Sequence, residues 1–193
     1  MSQSPFRLAL DIAADLAARI ADGLAPVCER IQIAGSIRRQ RPDVGDIELV
    51  VIPRFSRSLL PDVPGVSLLD LELNAWLLQG RLLRANKGET LKQYYIPALA
   101  RDGHYFKLEI NVSDPERWPV ELAIHTGSAN FSHRLVTPRN RLIAPGVYGL
   151  LPSHCIVKDR WQVWDEAGRL HFADEREFIE WACGEWVEPE RRD

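Results

Sequence analysis

Two apolar runs, Ile31–Ala34 and Asp46–Ile52, joined by a glycine-containing polar stretch, constrain this chain more than any other feature. Short apolar runs of this kind read as buried strands. Side chains of a strand alternate between its faces, so Asp46 and Glu48 point the same way at the start of the second run. Two carboxylates side by side on one face repel each other unless a cation sits between them. Hard oxygen ligands suit Mg2+, which keeps several waters and binds through a few carboxylates and substrate phosphates. The joining stretch opens with Gly35-Ser36, a turn in which backbone amides and a hydroxyl can approach phosphate. Gly45 lets the backbone pass close to such a group just before the carboxylates. A phosphate cradle and metal carboxylates in one βαβ-like unit point to nucleotide chemistry.

A two-metal site normally needs a third carboxylate. The best candidate is Glu109, in Lys107-Leu108-Glu109-Ile110-Asn111, where Tyr105, Lys107, Glu109 and Asn111 share one face of a strand and Phe106, Leu108, Ile110 and Val112 the other. Asp102 and Asp114 are weaker contenders, because each sits naturally in a turn.

The block Gly35-Ser36 followed by Gly45-Asp46-Ile47-Glu48 resembles the signature of the DNA polymerase β-like nucleotidyltransferases, Gly-Ser and then Gly-Asp-x-(Asp/Glu). Arg38-Arg39 after the Gly-Ser narrows the resemblance to the family X DNA polymerases. His125-Thr126-Gly127-Ser128-Ala129-Asn130-Phe131 is similar to the family's Tyr-Phe-Thr-Gly-Ser-x-x-Phe segment, and Glu175 to Arg191 to its closing pattern of an acidic helix, a glycine, an aromatic and Pro-Glu-Arg. The resemblance covers nearly the whole chain and implies an α+β fold. A nucleotidyltransferase palm, a mixed sheet with helices on one face, would span residues 1–114, and a small α/β thumb residues 115–193. It implies that Asp46, Glu48 and Glu109 hold two Mg2+ or Mn2+ ions and that Glu109 takes the proton of the primer hydroxyl. It also implies that Gly35, Ser36, Arg39 and Gly45 meet the triphosphate, with Arg38 a supporting ion-pair residue, and that His125, Gly127 and Ser128 touch sugar and base. Arginine suits this role because its guanidinium binds phosphate bidentately and stays charged.

The sequence departs from the family in three places. Glutamates stand at 48 and 109 where aspartates are usual, each adding a methylene to a ligand. Ile124-His125 replaces the aromatic pair that discriminates sugars. Ser132 replaces an asparagine that reads the base. On this resemblance these residues are expected to form palm and thumb alone, without the family's lyase and helix-hairpin-helix modules.

The remaining residues fit one soluble globular chain. Its 193 residues are 46% hydrophobic and 26% charged, and no apolar run approaches the ~20 residues that span a bilayer. The N-terminus lacks a secretion signal, so a cytoplasmic monomer is expected. Cys28, Cys155 and Cys183 are widely spaced and fit buried thiols rather than disulfides or a zinc site. The net charge of −3 runs against the basic excess usual in nucleic-acid binders. Arg38-Arg39-Arg41 and Arg134, Arg139 and Arg141 form local basic clusters, through which binding would be modest and salt-dependent.

Periodicity predicts a helix over 5–24 capped by Ser4-Pro5, and another from Ser67 with Leu68, Leu71, Leu77 and Leu78 apolar and Asp70 completing its cap. A hairpin of Tyr94–Ala100 and His104–Val112 turns at Asp102-Gly103. Helices follow over Pro115–Ile124 and Ser128–Leu135, short strands near Ile156-Val157 and Trp161–Trp164, and a last helix over Asp174–Cys183. Trp118, Trp161, Trp164, Trp181 and Trp186 read as packing, and His104, His133, His154 and His171 show no metal spacing.

Two functions stay open. One is a minimal family X-like DNA polymerase, adding nucleotides to a primer end in gapped DNA during repair. The other is a nucleotidyltransferase modifying a small molecule, a protein or an RNA end, favoured by Glu48 and the acidic net charge. A nucleotide-binding module with decayed catalysis is the non-enzymatic alternative.

Overall fold

The computed structural model describes residues 6–57, 65–101 and 104–193. The chain divides into two compact units. The first comprises residues up to Ile37 together with Arg41–Ser113, and the second Arg38–Gln40 together with Asp114–Asp193.

The first unit is built on a five-stranded mixed sheet. Its strands are β2 (Cys28–Ile33), β4 (Asp46–Pro53), β5 (Leu83–Lys87), β6 (Leu91–Arg101) and β7 (His104–Val112), in the order β2-β4-β7-β6-β5. The pair β4 and β7 is parallel and the other neighbours are antiparallel. Alternation does the sorting. Ile47, Leu49 and Val51 of β4 and Phe106, Leu108 and Ile110 of β7 point to one face. That face is covered by α1 (Leu10–Leu24), through Ala13, Ala17, Ile20 and Leu24, and by α3 (Leu68–Leu78), through Leu69, Leu73 and Trp76. The opposite face of the same two strands carries Asp46, Glu48, Lys107 and Glu109.

Helix α1 starts at Leu10, later than its periodicity predicts, because Leu8–Ala9 (β1) is extended and pairs antiparallel with Asp43–Val44 (β3). The predicted cap at Ser4-Pro5 lies outside the described residues. The helix ends at Leu24, one residue past Gly23, and Pro26 follows within a 3-10 turn over Ala25–Val27. In α3 the cap is as read: Ser67 Oγ accepts from the Asp70 N–H at 3.2 Å. Its buried stripe is Leu69, Leu73 and Trp76, however, while Leu71 and Leu78 are exposed. The Asp102-Gly103 turn also lies outside the described residues.

The second unit packs α4 (Trp118–Thr126), α5 (Ala129–Leu135) and α6 (Glu175–Cys183) around Val120, Ala123, Phe131, Leu135, Phe178 and Ile179. Helix α4 begins later than Pro115 because Asp114 Oδ1 accepts from the N–H groups of Glu116 and Arg117 in a turn of its own. A hairpin of β8 (Leu142–Ala144) and β9 (Val147–Tyr148) follows α5. A three-stranded sheet comes next, of β10 (Ile156–Lys158), β11 (Gln162–Asp165) and β12 (Gly168–Arg169). Asp174 caps α6 by accepting from Glu177 N at 2.9 Å. Among the described residues no helix is long and apolar enough to cross a membrane.

Candidate active site

The Gly35–Glu48 stretch folds as a tight connection back onto the strand it feeds. Gly35–Arg38 forms a single helical turn, α2. The Ala34 N–H donates to Glu48 O at 2.9 Å, and the Arg41 N–H to Ser36 O at 3.0 Å. Gly35 is held at φ +61°, and a Cβ there would collide with Glu48 Oε2, so this position needs glycine twice over. The Ser36 hydroxyl is buried and makes no hydrogen bond among the described residues. An isolated hydroxyl out of water is costly, and a phosphate oxygen would satisfy it. One turn of helix is too short to bring a macrodipole, so a phosphate here would meet this hydroxyl and the Gly35 backbone rather than a helix end.

Strand β4 supplies two acids and β7 the third. The parallel register sets Glu48 directly opposite Glu109 and Asp46 opposite Lys107. Three carboxylates thus share one face of two adjacent strands, with Asp46 and Glu109 drawn to Lys107 and Glu48 turned to the Gly35 side. Lys107 Nζ stands 2.6 Å from Glu109 Oε1 and 3.3 Å from Asp46 Oδ2. Glu109 Oε1 also accepts from Gln93 Nε2 at 2.7 Å, and Glu48 folds against Gly35. Among the described residues no group of three or more His, Cys, Asp or Glu side chains is drawn together as a metal site. Partial burial pulls the Lys107 pKa down. The hydrogen bond and charge of Glu109, joined by Asp46, more than reverse that and hold it above the ordinary lysine range. Carboxylate oxygens are the donors that suit Mg2+ or Mn2+, and the Lys107 ammonium is seated between two of these acids. The sequence placed Lys107 on the face of Glu109. That it bridges to Asp46 depends on strand register, which no local pattern encodes.

The residues expected to meet phosphate, sugar and base from the second unit are each engaged there. Arg39 Nη1 donates to the Thr126 carbonyl, and its guanidinium lies so close to Gly127 that a Cβ there would stand 2.8 Å from Nη1. Gly127 is at φ +66°. Ser128 caps α5, its Oγ accepting from Phe131 N at 3.3 Å. The His125 ring meets Trp161 edge-on, with centroids 6.3 Å apart. The Ser132 hydroxyl turns back to donate to Ile124 O at 2.6 Å.

Arg38 is bound bidentately by Glu175, with Nη1 2.8 Å from Oε1 and Nη2 2.5 Å from Oε2. It also donates to Thr126 Oγ1 at 2.6 Å. Arg192, with no exposed surface, donates to the same Glu175 Oε1 at 2.6 Å. Burial lowers the Arg192 pKa and Glu175 opposes that shift. This Arg-Glu-Arg cluster ties Arg38, α6 and the last turn of chain within the second unit. Sequence reading placed Glu175 only at the start of the closing pattern and gave it no partner, because 137 residues separate it from Arg38. Gly45 meets only the Arg7 guanidinium, at 3.9 Å from an added Cβ. Asp114 stays in its turn, paired with Arg117 Nε at 2.8 Å. The tryptophans pack: Trp118 is buried, Trp181 lies against Phe172 and Phe178, and Trp186 lies under Arg176.

No protein-family model matches this chain, and no curated protein matches it.

Proposed function

We propose that this chain is a metal-dependent nucleotidyltransferase of the polymerase β-like kind, most similar to a family X DNA polymerase, which adds nucleotides to a primer 3′-hydroxyl and releases pyrophosphate. The observation that carries the reading is the register of β4 against β7. It sets Glu48 opposite Glu109 on the face that also bears Asp46, beside the Gly35-Ser36 turn with its unsatisfied hydroxyl.

Asp46, Glu48 and Glu109 would hold Mg2+ or Mn2+ in the place where Lys107 now neutralises two of them. Bound there, a pair of such ions would activate the attacking oxygen and neutralise the leaving group. The protein's own contributions are positional. The Ser36 hydroxyl donates to a phosphate oxygen, Gly35 leaves room for the Glu48 carboxylate against the turn, and Gly45 leaves the backbone open to the triphosphate. Glu109, steadied by Gln93, accepts the attacking hydroxyl's proton on its carboxylate.

The longer carboxylate of Glu48 and the net charge of −3 favour a second reading on the same chemistry, transfer to a small molecule, a protein or an RNA end. Labelled triphosphates with Mg2+ or Mn2+, offered to gapped DNA, a single-stranded primer and a pool of small acceptors, separate the two. Primer extension that falls at least a thousandfold in Asp46→Asn supports the polymerase, since that variant removes a charge the transition state needs. Label found only on a non-nucleic-acid acceptor overturns it. With Ile124-His125 in place of an aromatic pair, ribonucleotides should compete effectively with deoxynucleotides in the same assay. Their strong exclusion would refute that.

A further inference from the structure

No aspartate or glutamate lies between Glu121 and Asp159, in a chain whose acids outnumber its bases. The same stretch carries Arg134, Arg139, Arg141 and Lys158, so an acidic protein concentrates positive charge in one segment. The β8–β9 hairpin lies at its centre. Leu142 and Tyr148 pair across the hairpin and are both exposed, Leu142 by 57% and Tyr148 by 52%.

A two-residue pairing with exposed apolar side chains would not hold its shape alone. Arginines brace it. Arg134, in the last turn of α5, donates from Nε to Tyr148 O at 3.1 Å. Arg139 donates from Nε to Leu150 O at 2.9 Å and from Nη2 to Ala182 O at 2.6 Å. The Arg141 guanidinium is exposed and has no hydrogen bond or ion pair among the described residues. Between α5 and the hairpin runs a groove of about 270 Å³ lined by Asn130, Arg134, Ile143, Ala144, Val147 and Asp193. Asp193 is the one acid on its rim.

We propose that this hairpin is a docking platform for a single nucleic-acid strand, with Tyr148 stacking on a base and Arg141 and Arg134 meeting the phosphates. Charge complementarity selects the occupant. An apolar protein partner has no need of a segment without acids over residues 122–158, whereas a polyanion is matched by one, with Asp193 the single acid lining the groove. An exposed aromatic beside guanidinium groups is also the arrangement that grips single strands without reading their sequence. The inference rests on the polymerase reading for its biological sense, since it supplies the acceptor's grip.

The test is anisotropy of a fluorescein-labelled oligothymidylate with the full chain, metal and nucleotide being omitted. Tyr148→Ala should weaken binding roughly tenfold. Arg141→Gln should flatten the dependence of log K on log salt by about 0.7, the share of one phosphate on a single strand. Both side chains are exposed, so circular dichroism and thermal midpoint should stay at the wild-type values. Wild-type binding in both variants overturns the platform. If primer extension by the wild type still depends on Asp46, the polymerase reading survives that failure. A wild type that binds no oligonucleotide yet labels a small acceptor removes both. Variants that change only the sedimentation coefficient reveal a second copy of the chain as the occupant, which also overturns the proposal.

Discussion

Gly35 and Gly45 flank the same connection and are constrained by different things. At Gly35 the protein itself demands glycine, through a left-handed φ of +61° and the Glu48 carboxylate packed where a Cβ would sit. At Gly45 the φ is ordinary, and an added methyl would rest 3.9 Å from Arg7. Nothing in the folded chain requires a bare backbone there, so a requirement for glycine would have to come from a ligand. Gly45→Ala is therefore expected to leave the thermal midpoint within a degree or two of wild type and to weaken triphosphate binding tenfold or more. Gly35→Ala should lower the midpoint by several degrees, consistent with ~1–2 kcal/mol of backbone strain. Thermal denaturation beside nucleotide titration by calorimetry distinguishes them. Equal nucleotide affinity in Gly45→Ala and wild type would remove Gly45 from the site.

The elements of the sheet were legible because period-2 alternation is a local signal. Phe106, Leu108 and Ile110 are fully buried on one face, and Lys107 and Glu109 lie on the other, as their spacing requires. What escaped was set by pairing at a distance. Leu8–Ala9, predicted to lie within α1, is a strand because it pairs with Asp43–Val44. The leucines of α3 did not reveal its buried stripe, since apolar residues occupy nearly every position around that helix. The Arg38–Glu175–Arg192 cluster was the least legible, because it joins elements far apart in sequence. Only Arg38 was read in its supporting role. Glu175 sits in the first turn of α6, where the helix dipole also favours its charge. Glu175→Gln would leave two guanidinium groups with a neutral partner, one of them fully buried. Removing one partner from such a cluster costs about 3 kcal/mol or more. Glu180→Gln, which loses only the exposed i,i+4 pair with Arg176, should cost under about 0.5 kcal/mol. Urea midpoints of the two variants measure the contrast, and near-equal values would show that the cluster contributes little net stability.

Taken across the whole molecule, charge and burial are distributed unevenly, and pH exposes the second of these. The arginine cluster of the hairpin could be read from the sequence, but the exposure of Tyr148 beside it could not, since β-strand periodicity over two residues carries no information. The cysteines are simpler. The described structure leaves all three as free thiols, with Cys28 and Cys155 buried and Cys183 half-buried. Burial pushes the Cys28 thiol up to about 11 from an ordinary value of 9.0, with the charge of Arg54 opposing only part of the shift. A raised thiol pKa means the folded state keeps a proton that the unfolded chain gives up. The resulting stability is complete below about pH 9 and is lost as pH rises from there through 11. The full shift corresponds to roughly 2–3 kcal/mol. Tyr94, also raised by burial, adds a further loss that begins near pH 10. Urea unfolding of wild type and Cys28→Ala at pH 8 and pH 10.5 separates these contributions. Cys28→Ala begins less stable, because it leaves a small cavity at the start of β2, but it should lose less on the alkaline step, by about 1–2 kcal/mol. Parallel losses in the two proteins would mean that the Cys28 thiolate is accommodated in the folded state, and that the β2 edge of the core admits water at high pH.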